Sequence, residues 1–122
     1  MSKYILNINS RLPGLNDFIH AINRNRFVGA KLKKDTERLI SWEIKTQLKD
    51  VVINKPVKIK FIWIEENKRR DLDNIYSAHK YILDSLVGMG VLPNDNQKWV
   101  TKITDECLID KKSKVIVEIE EV

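Results

Sequence analysis

One stretch limits what this chain can fold into more than any other: Val57-Lys58-Ile59-Lys60-Phe61-Ile62-Trp63-Ile64. Apolar and lysine residues alternate through its first half, which is the two-residue period of a strand with one buried face. Val57, Ile59, Phe61 and Trp63 share that face, and Lys58 and Lys60 take the other. The last four residues are apolar on both faces, so this strand, residues 56–64, belongs inside a sheet rather than at its edge. A sheet with an interior strand needs partners, and 122 residues with 43% apolar content supply one ordinary core. A single domain spanning residues 1–122 is expected.

The partners can be read on either side. Residues 3–9 alternate loosely and form a first strand, and short strands are expected near 99–105 and 114–120. Pro13-Gly14 marks a turn, with a short helix possible over 16–23. Asp35-Thr36-Glu37 can start a helix over 35–49, where Ile40, Ile44 and Leu48 make an i, i+4 stripe. Trp42 lies about 160° from Ile40 on that wheel and reads as a partly buried core residue rather than a dimer surface. A second helix is expected over 72–87, stopped by Gly88 and Gly90. The order β-α-β-α-β-β describes an α/β domain of the two-layer α+β kind, a mixed sheet packed with two main helices. No repeat and no linker interrupts it.

Charge and cysteine content narrow the function. Residues 1–34 carry seven basic residues and one acid, whereas the remaining 88 residues carry 15 basic and 16 acidic. The net charge of +5 therefore comes from the first quarter, chiefly from Arg24, Arg26, Lys31, Lys33 and Lys34. A basic segment with few acids to pair suits a polyanion such as nucleic acid, although a solvated helix face has the same composition. The lone Cys107 excludes an internal disulfide and a multi-cysteine zinc site. No apolar run reaches the roughly 18 residues of a membrane span, and residues 1–4 lead into a strand rather than a signal peptide. A soluble, cytoplasmic protein with no membrane partner is expected.

The chemistry concentrates where the central strand meets the second helix, at Lys68-Arg69-Arg70-Asp71-Leu72-Asp73-Asn74. Asp71 suits an N-cap and Asp73 the first turn, so each acid alone has a structural explanation. The remainder of the helix is less easily dismissed. On a 100° wheel Ile75, His79, Ile82 and Leu86 fall within about 40° of one line, and Asp73, Ser77, Lys80 and Asp84 fall at roughly 140–200° from it. His79, on the apolar stripe, reads as a core or interface histidine rather than a ligand. Asp71 and Asp73 can share a cation only if Asp71 precedes the helix in extended conformation. Asp95, in the turn-rich segment 88–97, is a third acid, though turns favour Asp for local reasons too. Three such acids beside a lysine would suit Mg²⁺ or Mn²⁺, hard ions that take carboxylate oxygen. Such an ion activates water and neutralises a scissile phosphate.

Together these segments resemble the RusA family of Holliday junction resolvases, in particular its phage and prophage branch. The resemblance rests on Arg69-Arg70-Asp71-Leu72-Asp73-Asn74, a helix holding Lys80 four residues before Asp84, and Asn94-Asp95-Asn96-Gln97 after a glycine turn. Leu15-Asn16-Asp17-Phe18-Ile19 and the basic run that follows are similar as well. Asn94 stands where the family has the first acid of a D-D pair, and the spacing from Asp73 to Lys80 is about one helical turn longer. The resemblance implies a Mg²⁺-dependent crossover junction endodeoxyribonuclease of recombination and repair, working as a homodimer on four-way DNA. Asp71, Asp73 and Asp95 would bind the metal, and Lys80 would be the catalytic lysine. Lys68, Arg69, Arg70, Arg24, Arg26, Lys31, Lys33 and Lys34 would hold the DNA backbone. A non-catalytic nucleic-acid-binding module, a dimeric assembly protein and a nuclease for other branched DNA stay open beside it.

Overall fold

A computed structural model describes residues 2–122. Four strands and four helices follow in the order β1 (Lys3–Ile8), α1 (Leu15–Arg24), α2 (Arg26–Gln47), β2 (Val57–Glu65), α3 (Leu72–Tyr76), α4 (His79–Gly88), β3 (Val100–Ile109) and β4 (Lys114–Glu121). The strands form one mixed sheet in the order β1-β4-β2-β3. β4 runs antiparallel to both β1 and β2, whereas β3 is parallel to β2. β2 is thus interior, as its two-sided apolar ending requires. The helices cover one face of the sheet, giving a small single α+β domain.

The strand alternation places the core. Val57, Ile59, Phe61 and Trp63 are at most 2% exposed, beside Leu6 and Ile8 of β1 and Val115, Val117 and Ile119 of β4. Ile40 and Ile44 of α2 and Ile75, Ile82 and Leu86 of α3 and α4 close the layer from the helix side. Trp42 is not part of this core. It is 66% exposed, because the stripe that α2 buries runs along the opposite side of the helix.

Two helices differ from expectation. α2 begins at Arg26, so the basic run lies on the first turns of a 22-residue helix rather than before it. Asn25 starts the helix by accepting the Val28 N–H at 3.0 Å. Gly29 keeps the start in place, since a Cβ there would lie 2.7 Å from the Ile22 side chain of α1. The helix expected over 72–87 is divided instead. Ser77 Oγ donates to the Asn74 carbonyl at 2.6 Å, and the Ala78 and Tyr81 amides each reach back three residues rather than four. That tightened turn separates α3 from α4.

Candidate functional site

The junction between β2 and α3 is built on a buried ion pair. β2 ends at Glu65, whose carboxylate takes Arg70 Nε at 2.9 Å and Nη2 at 2.7 Å. The two side chains are only 9% and 12% exposed. Arg70 also donates Nη1 to the Leu12 carbonyl at 3.0 Å, so the guanidinium is spent inside the fold. Arg70 therefore leaves the set of DNA-facing residues in which the sequence places it. A planar fork beside an inward-facing carboxylate is better satisfied there than in solvent.

Asn74, four residues on, does a similar task. It is buried, and its Oδ1 accepts the Asn16 N–H at 2.9 Å. A Cβ at position 14 would sit 2.4 Å from that oxygen, so only glycine lets the loop approach. Arg70 and Asn74 thus clamp residues 12–16 and, through them, the start of α1.

Between these inward residues Asp71 and Asp73 face out. Asp71 precedes α3 with extended dihedrals, φ −69° and ψ 151°, and its side chain makes no capping bond. The extended conformation that sharing a cation requires is present. The capping role that composition offered as an explanation is not taken up. Asp73 accepts only the amide of its neighbour Asn74, at 2.9 Å. Both aspartates are exposed, and neither enters an ion pair among the described residues. Lys68 and Arg69 are exposed beside them.

The other half of the candidate site is organised by a lysine. His79 turns toward the sheet, its ring packing on Phe61 and Trp63 and its Nε2 lying 2.6 Å from Asp105 Oδ1. The same oxygen accepts the Trp63 indole N–H at 2.8 Å. His79 is a packed, hydrogen-bonded histidine. With His79 inward, Lys80 points out and meets Asp84 Oδ1 at 2.9 Å and Asp95 Oδ2 at 3.3 Å. Hydrogen bonding to Asp84 and then to Asp95 raises the Lys80 pKa above its ordinary 10.5, so it is an ammonium and not a base. Lys33 of α2 approaches Asp84 at 3.9 Å and links the basic helix to this cluster.

The three proposed metal ligands do not gather. Among the described residues no group of three or more His, Cys, Asp or Glu side chains is close enough to hold a metal ion. Like charges repel in the absence of a cation, and the Lys80 ammonium already neutralises Asp95. Asp71 and Asp73 alone are nevertheless a donor set of the right chemistry. Mg²⁺ is commonly held by one or two carboxylates, with water and substrate phosphate completing its shell. The residues fit such a half-open site rather than a closed protein cage.

Arg24, Arg26, Lys31, Lys33 and Lys34 are all exposed at the start of α2 or just before it. Lys31 is paired with Asp35 at 2.6 Å, and that bond holds the Asp35 carboxyl below its usual range. Arg24, Arg26 and Lys34 carry no such partner among the described residues. Sequence reasoning missed Glu65, Asp105 and Asn74 as organising residues. Glu65 is the one that could have been found, as an acid directly after the apolar run 61–64 and five residues before an arginine. No protein-family model matches the chain, and no curated protein matches it in sequence.

Proposed function

We propose that the chain is a metal-dependent endonuclease of DNA recombination and repair, cutting four-way junctions as a homodimer. The observation that carries this reading is the freedom of Asp71 and Asp73. In a chain with 22 basic residues, two neighbouring carboxylates stay unpaired while the residues flanking them are fixed inside the fold. A rigid frame presenting free acids is what a site for a hard cation and a phosphate needs.

Asp71 and Asp73 would hold Mg²⁺ or Mn²⁺, which when bound supplies an activated water and offsets charge on the scissile phosphate. Arg24, Arg26 and Lys34, with Lys68 and Arg69, contact the DNA backbone and carry no sequence information. Lys80 acts as a fixed positive charge near the leaving oxygen and does not transfer a proton. Asp84 and Asp95 hold that ammonium in place. One subunit carries one such site, so paired cuts on opposed strands require two subunits.

Incubating a synthetic four-way junction and a linear duplex with the protein and Mg²⁺ tests the reading. Symmetric paired nicks in the junction alone are expected, and Asp73→Asn abolishes them while junction binding is kept. Binding that falls steeply with salt, and falls less steeply once Arg24, Arg26, Lys31, Lys33 and Lys34 are changed to Gln, is expected as well. The pairing of Asp95 with Lys80 favours one second reading, a nucleic-acid-binding module without catalysis. That reading requires the same salt-sensitive binding and no cleavage at any Mg²⁺ or Mn²⁺ concentration. Nicks in flaps or forks with an intact four-way junction would move the substrate to other branched DNA.

A further inference from the structure

The two edges of the sheet are treated differently. At the β1 edge the helix side supplies substitutes for a missing strand. Gln47 of α2 accepts the Asn7 N–H at 2.6 Å and donates to the Asn7 carbonyl at 2.7 Å. Glu43 takes the Asn9 amide at 3.4 Å. Side chains close that edge at Asn7 and Asn9, which leaves it open only over the short stretch at Lys3 and Ile5. β3, at the other edge, has ten residues and no proline, and its outer side meets nothing among the described residues.

The direction of its free groups follows from one bond. The Asp110 amide donates to the Glu65 carbonyl at 2.9 Å. Strand alternation then turns the N–H and C=O of Thr104, Glu106 and Leu108 toward β2, and those of Ile103, Asp105 and Cys107 outward. An open strand of this length is a template for another strand. Side chains on the uncovered sheet face decide which strand fits. Lys102, Thr104 and Glu106 follow one another on that face, basic, neutral and acidic. Among the described residues Lys102 enters no ion pair, and Glu106 meets only the exposed Lys60 at 3.4 Å, with one carboxylate oxygen left free.

We infer that β3 pairs antiparallel with β3 of a second copy of this chain, with Thr104 opposite Thr104 on the two-fold axis. This register sets Lys102 opposite the partner's Glu106 twice over and pairs the outward backbone of Ile103 with that of Asp105. Moving the axis to Asp105 or Glu106 sets like charges against each other, and moving it to Ile103 loses the ion pairs. The two sheets join into one of eight strands, flanked by the exposed Ile103, Ile109 and Leu72. The inference deepens the two-subunit element of the proposed function and rests on it, but it concerns assembly and needs no cleavage.

Sedimentation and cysteine crosslinking test it. In a Cys107→Ser background, Thr104→Cys is expected to give a disulfide dimer under mild oxidation, because directly opposed Cβ atoms lie within disulfide reach. Cysteines at 103 or 105 should not crosslink, and crosslinking there instead of at 104 overturns the register. Lys102→Glu and Glu106→Lys should each weaken the dimer about tenfold, and the two together should restore it. Ile103→Pro removes one outward N–H without touching the β2 ladder, and should give a monomer with an unchanged circular dichroism spectrum. A wild-type dimer that survives Ile103→Pro and does not crosslink at 104 overturns the interface and leaves the nuclease reading standing. A dimer crosslinked at 104 that cuts no junction overturns the nuclease reading and leaves the interface. A wild-type monomer at about 100 μM, with junction DNA present, overturns both.

Discussion

Within five residues the chain does two opposite things. Arg70 and Asn74 turn inward, are satisfied by Glu65, Leu12 and Asn16, and tie three segments together. Asp71 and Asp73 turn outward and hold almost nothing, with no cap bond from one and a single local bond to the other. The contrast separates the side chains that build this junction from those it leaves free. Sequence spacing alone puts all four in one motif, and only burial tells them apart.

The largest expected effect lies on the inward side. Glu65→Ala or Arg70→Ala leaves one charge buried and uncompensated and should cost about 3–5 kcal/mol of stability, read by urea denaturation. Replacing both partners with Met should cost less than either single change, because no orphan charge is left. If Arg70→Ala is nearly neutral, the inward half of the contrast is wrong.

Next comes the clamp at Asn74. Asn74→Ala should lose about 1–3 kcal/mol by leaving the Asn16 amide unsatisfied, and Gly14→Ala a similar amount by forcing a Cβ into Asn74. Equal melting temperatures for Gly14→Ala and wild type would show that Asn74 yields to a Cβ at position 14, which would otherwise lie 2.4 Å from its Oδ1. On the outward side the loss should all but vanish. Asp71→Ala and Asp73→Asn should shift stability by less than about 0.5 kcal/mol in EDTA, although an N-cap normally contributes about 0.5–2 kcal/mol. A full cap's loss at Asp71 would return that residue to structural duty.

The smallest effect concerns pH. The raised pKa of Lys80 means its pairing with Asp84 and Asp95 is fully present below the unfolded value of 10.5 and is lost as pH rises through the higher folded value. Junction cleavage should therefore show no titration of Lys80 between about pH 6 and 9. Lys80→Gln should lower the rate without changing the shape of that profile.

Much of the fold was legible because its signals are local. The alternation of 57–64 located the interior strand, and the Ile40, Ile44 and Leu48 stripe located the buried side of α2. The start of α2 was not legible, because Asn25 caps the helix only once Ile22 has settled against Gly29, a contact between two helices. The break at Ser77 escaped as well, since a serine whose hydroxyl turns back on the backbone has the same composition as one that does not. At the site, the Asp71 and Asp73 cluster could be picked out from spacing, and so could the exposed stripe that sets Lys80 beside Asp84. The commitment of Arg70 to Glu65 could not, because an arginine next to DNA and an arginine in a buried pair are spelled alike.

The strand order has a consequence for how the molecule comes into being. β4 is the last strand in the chain and yet sits between β1 and β2. Tyr4 and Glu121, bonded at 3.3 Å, are 117 residues apart. Local pairing can assemble β2, α3, α4 and β3 early, but β1 has no neighbour in the sheet until β4 enters the gap beside it. Closing so distant a contact is slow, and the apolar sides of Leu6, Ile8, Ile59 and Phe61 stay unshielded along that gap in the meantime. The sheet is completed from its middle, and removing the last eight or so residues would open it at its centre rather than shorten its edge.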